Sequence, residues 1–149
     1  MSSAALRRAI DPAAVQQAIA EVELRTSGEI RVSVSHLFWG DVRRIAESAF
    51  DRLGLRETAE RNGLLIFVVP SRRKFVILGD VGIHAKAGQP LFDSAAATLS
   101  TSFAAGDYTR GLVSVIAALG DALAVHFPRC DSDVNELPDA VDYGGEPHE

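Results

Sequence analysis

Two carboxylates and an amide are the residues of this chain whose placement could do chemistry. Glu29 opens a short alternating run, Asn62 stands with Gly63 just before an apolar run, and Asp80 follows Gly79 just after another. The first two runs are predicted to be parallel strands joined by a helical crossover, and the third to return beside the second. Glu29, Asn62 and Asp80 then converge on one side of the sheet. An all-oxygen set of this kind suits a hard cation, Ca2+ or Mg2+, rather than zinc. The same residues also have structural readings. Asp80 in Gly79-Asp-Val-Gly82 fits a turn in which the aspartate bonds its own backbone, and Asn62-Gly63 is a turn pair. Glu29 can pair with Arg31 or Arg61.

Other chemistries find less support. None of His36, His84, His126 and His148 has a partner at zinc-ligand spacing, and only His84 lies near Asp80. No nucleophile elbow, P-loop or dinucleotide fingerprint occurs. Asp131-Ser-Asp-Val-Asn135 matches the first half of an EF-hand loop. The match then fails, because Glu136 stands where the sharp turn needs Gly, and Asp142 where a bidentate Glu belongs. Cys130 has no evident base beside it, and Arg72-Arg73-Lys74 reads as a solvated hairpin tip.

A chain of 149 residues, 47% hydrophobic and 23% charged, has the length and balance of one globular domain with a real core. One cysteine rules out an internal disulfide and a multi-cysteine metal site. Residues 131–149 carry seven acids and no Lys or Arg, so the formal charge of −5 is made by that segment. The sequence predicts a domain over residues 1–130 and an acidic, partly disordered tail over 131–149. The mildly basic body has no concentrated basic stripe, which argues against nucleic acid. The first ten residues lack a secretory h-region, and no apolar run approaches the length of a transmembrane segment. A soluble, cytoplasmic protein is the expectation.

The elements that must position the polar residues follow from periodicity. Asp11 and Pro12 start a helix whose stripe is Val15, Ala18, Ile19 and Val22. Residues 29–35 alternate, which predicts a strand with one apolar face. A second helix spans roughly 41–53. Residues 64–69 and 75–78 are apolar throughout and read as central strands paired in a hairpin across 70–74. One helix then starts near Pro90, and another follows Asp107 and ends before Pro128. Gly111 and Gly120 inside the last helix point to close packing against a neighbour. The order α-β-α-β-β-α-α predicts a three-layer α/β/α sandwich around a small mixed central sheet.

At these residues the chain resembles the TPM domain family. The resemblance is carried by Thr26-Ser-Gly-Glu-Ile-Arg31, Leu53-Gly-Leu-x-x-Thr58, Arg61-Asn-Gly-Leu-Leu-Ile66 and Phe75-Val-Ile-Leu-Gly-Asp-x-Gly-Ile83. Gly106-x-Tyr-x-x-Gly-Leu112, Phe127-Pro128 and Asn135-Glu-Leu-Pro-Asp139 continue it, the last being similar to a soluble bacterial branch. The resemblance spans roughly residues 12–140 and implies the same α/β/α fold. By motif position it places Glu29, Asn62, Asp80 and Asp107 in the family's characteristic segments, although Asp107 is also a natural helix N-cap. It implies divalent-cation binding, as attributed to bacterial members, or acid phosphatase activity, as attributed to plant members.

Three functions are therefore expected in turn. The first is a non-enzymatic, Ca2+- or Mg2+-binding interaction module. The second is a metal-assisted acid phosphatase, for which the sequence shows no nucleophile motif and no arginine clamp. The third is a domain that binds a protein partner and no small ligand, with Phe38 and Trp39 as anchors.

Overall fold

Six apolar residues in a row, Leu64 to Val69, can be satisfied only by a strand covered on both faces. A computed structural model describes residues 10–129 and 140–144, and it builds the molecule around that strand. The order is α1 (Pro12–Glu23), β1 (Glu29–Val34), α2 (Val42–Arg52), β2 (Gly63–Val69), β3 (Lys74–Gly79), α3 (Val81–Ala87), α4 (Gln89–Ala104) and α5 (Tyr108–His126). Short 3-10 turns occupy Leu55–Glu57 and Pro70–Arg72. The sheet order is β1-β2-β3, with β1 parallel to β2 and β3 antiparallel to it.

The two faces of β2 make two cores. Leu64, Ile66 and Val68 join Ile30, Val32 and Val34 against α1, α4 and α5. Leu65, Phe67 and Val69 pack against Val42, Ala46, Ala49 and Phe50 of α2. These layers form the expected three-layer α/β/α sandwich. Asp11 caps α1 by accepting from the Ala13 amide at 3.0 Å, and Asp41 caps α2 by accepting from Arg43 at 3.1 Å.

Three local expectations are corrected. First, β3 is an outer strand, not a central one; Phe75, Val76 and Ile77 are only half-buried and Lys74 is exposed. Its apolar run reflects packing against helices on either side of the sheet, which does not require a strand neighbour on both edges. Second, the segment after β3 is a two-turn helix rather than a turn. Asp80 caps it, accepting from the Val81 amide at 2.8 Å, and Gly88 in the left-handed region ends it. Third, β1 has no solvent face: all six residues are buried, including Glu29, Arg31 and Ser33.

The free edge of β1 is closed by residues 140–144. Val34 donates to the Asp142 carbonyl at 2.8 Å, and the Asp142 amide donates to Val32 at 2.9 Å. The Asp142 carboxylate accepts from Ser33 Oγ at 2.7 Å and from both Arg52 terminal nitrogens at 3.0 and 2.8 Å. This strap therefore pairs with the outermost strand and ties it to the end of α2. The remainder of the acidic tail, including Cys130 and the EF-hand-like Asp131–Asn135 stretch, lies outside the described residues.

Helix α5 is long and apolar enough, by length and composition, to cross a membrane. Here it packs against α1 and α4. A Cβ on Gly120 would lie 2.4 Å from Val22 Cγ2, and one on Gly111 would lie 2.5 Å from Ser102 Cβ. These are the close approaches that the two glycines forecast.

Two predictions follow from this packing. An alanine at 120 would gain about 1 kcal/mol of helix propensity in an open site. Against Val22, Gly120→Ala is instead expected to lower stability by about 1–3 kcal/mol, read from the urea midpoint. The second concerns Asp142. Burial works to raise its carboxyl pKa, but hydrogen bonds from Arg52 and Ser33 outweigh that and hold it below the ordinary carboxylate value of 3.8. The strap's contribution is then full at neutral pH and is lost as pH falls from the ordinary value through the folded one. Asp142→Asn is expected to cost about 1–2 kcal/mol at neutral pH. It should also flatten the acid limb, as urea midpoints across pH will show.

Candidate functional site at one end of the sheet

Strand register brings three of the four expected residues to one end of the sheet. Glu29 pairs with Gly63, and Leu64 pairs with Gly79. The Glu29 amide donates to the Asn62 carbonyl at 3.2 Å, and the Asp80 amide donates to the Gly63 carbonyl at 2.9 Å. The backbones of Glu29, Asn62 and Asp80 thus converge.

Their side chains part. Glu29 accepts from Arg31 Nη2 at 2.9 Å, while Arg31 Nη1 reaches Glu23 at 3.0 Å, and all three are buried. Asp80 takes a two-pronged contact from Arg61, Nε to Oδ2 at 2.6 Å and Nη2 to Oδ1 at 2.9 Å. The hydrogen bond to Asp80 is the largest influence on the Arg61 guanidinium and raises its pKa above the ordinary arginine value. The Asn62 amide nitrogen of the backbone donates to Thr58 Oγ1 at 3.0 Å, and Nδ2 donates to Ser27 Oγ at 3.3 Å. Ser27 in turn donates to Glu60 at 2.8 Å. Asn62 is thereby built into its loop.

Between Glu29 and Asp80 in the register lies Gly63, where a Cβ would lie 2.3 Å from the Leu55 carbonyl oxygen. That carbonyl packs directly on the glycine, and the two acids on either side are engaged by Arg31 and Arg61. Asp107 is not at this end at all. It is exposed, it begins α5, and its side chain makes no capping hydrogen bond. The far end of the same helix receives Thr26, which donates to the Leu123 carbonyl at 3.1 Å. A 19-residue helix is about 28 Å long, which separates Asp107 from Glu29. Among the described residues, no group of three or more His, Cys, Asp or Glu could hold a metal ion. His84 lies flat against Phe92, with ring centroids 4.3 Å apart.

The sequence reading missed a cavity beside Asp80. It encloses about 180 Å³ and is lined by Arg43, Glu47 and Phe50 of α2, Arg56, and residues 78–81. Helix α2 crosses this face of the sheet, its early residues over the end of β3 and Arg52 at the strap. Two guanidinium groups, of Arg43 and Arg56, and two carboxylates, of Glu47 and Asp80, line it, and ion pairs connect them to one another or to neighbours just outside. Arg43 lies 3.6 Å from Glu47, Arg56 lies 2.7 Å from Asp51, and Arg61 holds Asp80. Arg56 also sits over the Phe50 ring at 5.4 Å. An available signal was the charged stripe Arg43, Glu47 and Asp51, which repeats every four residues on the outer face of α2.

Of the anchors considered for a partner, Phe38 and Trp39 are exposed, at 66% and 78%. They stand at the other end of the sheet, on the loop that leaves β1.

The fold has close likenesses. The BA42 protein from the psychrophilic bacterium Bizionia argentinensis, solved by NMR, is 35% identical, with a TM-score of 0.84. The likeness covers 89% of this chain and 92% of that one. The N-terminal domain of the cg2496 protein from Corynebacterium glutamicum, also solved by NMR, shares the fold at 18% identity and a TM-score of 0.62, over 91% of this chain and 81% of that one. A comparison with curated proteins finds no match. The model of the TPM domain matches residues 4–122. With that match, and a 35% identical relative along nearly the whole fold, the chain belongs to the TPM domain family.

Proposed function

We propose that this TPM domain is a binding module whose ligand is a phosphate-bearing molecule accompanied by a divalent cation, taken up in the cavity beside Asp80. The observation that carries this reading is that two acids and two arginines line one space of about 180 Å³. Mg2+ is commonly held by one or two carboxylates together with ligand phosphates, keeping several waters. Asp80 and Glu47 both line the cavity and would hold the cation. Arg43 and Arg56 line it too and match the geometry of a phosphate. This donor set replaces the one expected from Glu29, Asn62, Asp80 and Asp107. The cation would supply charge that lets a dianion sit beside two carboxylates.

Asp80 must exchange partners for this to happen. Its side chain is 1% exposed, whereas that of Arg61 is 42% exposed. A cation arriving at Asp80 releases a guanidinium that already borders solvent, so the buried acid is never left without a countercharge.

Binding rather than turnover is the reading we adopt, because both carboxylates that line the cavity are assigned to the cation.

The test is an amide NMR titration of chelator-stripped protein with Mg2+ alone, Ca2+ alone, phosphate alone, and the combinations. Shifts at residues 43–47, 56 and 79–81, with phosphate binding strengthened at least about tenfold by the cation, are expected. Arg56→Gln should weaken phosphate by about tenfold while leaving the cation in place. Asp80→Asn should abolish the cation dependence. It also removes the ion pair with Arg61, so the exposed Glu47→Gln variant serves as the second test of the carboxylate pair. Absence of shifts around the cavity would end the proposal. Metal-dependent release of nitrophenol from an aryl phosphate, lost in Asp80→Asn, would replace it with a phosphatase.

A further inference from the structure

We propose that the loop 35–41 and the hairpin tip 70–74 together form a docking surface for an anionic phospholipid bilayer. The inference concerns the end of the sheet opposite the Asp80 cavity and does not rest on the function proposed for that cavity.

Register puts the two segments together. Val34 ends β1 opposite Val68, and Val68 pairs with Phe75 at the start of β3. The loop leaving β1 and the turn joining β2 to β3 therefore emerge side by side. Arg72 Nη1 donates to the Gly40 carbonyl at 3.1 Å and fastens one to the other.

The chemistry of the paired segments is the combination that a charged lipid interface selects. Phe38 and Trp39 are adjacent on one loop and are two of the five large apolar side chains left exposed among the described residues. A tryptophan presents an apolar body with a polar N–H, the amphipathic form that settles at headgroup level. Next to them stand Arg72, Arg73 and Lys74, the latter two exposed. Their long stems can lie along the acyl boundary while their charges meet lipid phosphates. Among the described residues near this tip, Asp41 caps α2 and Asp142 is held by Arg52 and Ser33. The exposed aromatic pair thus stands beside a cluster of three basic side chains.

The same two aromatics line a cavity with residues 35–37, Tyr143 and Gly144, so part of each ring borders an open space. Exposed aromatics beside a basic turn are suited to insertion into a soft, negatively charged surface.

The experiment exploits Trp39, the sole tryptophan of the chain. Its fluorescence is followed while the full chain is titrated with phosphatidylcholine vesicles, with and without phosphatidylglycerol. The expected result is a blue shift and co-sedimentation with the phosphatidylglycerol vesicles only, reversed by high salt. Arg73→Glu with Lys74→Glu should lower partitioning by at least about tenfold. Phe38→Ser should lower it with the salt dependence kept, and circular dichroism verifies that both variants fold. An unshifted spectrum with anionic vesicles would overturn the proposal, as would equal binding to neutral ones. Quenching by a single-stranded oligonucleotide without vesicle binding would assign the surface to nucleic acid instead.

Discussion

A carboxylate removed from water must be met by a cation or be neutralised. The molecule meets that demand at several places, each time with an arginine. Arg31 answers both Glu23 at the end of α1 and Glu29 at the start of β1. Arg61, in the loop before β2, answers Asp80 at the start of α3. Arg52, at the end of α2, answers Asp142 on the strap. The pairs with Glu23, Asp80 and Asp142 each tie one element or loop to another, while that with Glu29 lies within β1. Removing either member leaves its partner's charge to find water, so the pairs act as registration devices for helix and strand ends. They also account for the behaviour of the sheet end near Asp80, where charges are abundant and each is balanced by a neighbour. A ligand there must bring the charge to exchange with the one it displaces.

The apolar pattern carried most of the architecture. The stripes of α1, α2, α4 and α5 and the solid run of β2 were legible because burial repeats with the period of the element. The parallel and antiparallel pairings followed from connection length. Helix α3 was illegible for a local reason. Gly79-Asp-Val-Gly82 carries two glycines, which read as a turn, and only the cap at Asp80 and the packing of Ile83 show otherwise. The burial of β1 was illegible for a distant reason. On its polar face Ser33 meets Asp142, more than a hundred positions away, while Glu29 and Arg31 are satisfied by each other and by Glu23.

The site divides along the same line. That Glu29, Asn62 and Asp80 share one end of the sheet depends on topology, and topology could be read. Where their side chains point depends on single carbonyls and single arginines. Leu55 over Gly63 and Arg61 in the left-handed region have no periodic signature. The arginine rim of the cavity was hidden because its members come from α2, a 3-10 turn and a loop. Only the crossing of α2 over the sheet brings them together.

The strap has a consequence for self-association. Without residues 140–144 the outer edge of β1 would offer its Val32 carbonyl and Val34 amide with nothing from the strap to pair them. An open strand edge is a template for a neighbouring chain. Five residues therefore act as a guard over the sheet. Proteolysis between α5 and the strap would take that guard away and leave an edge on which a second copy could build.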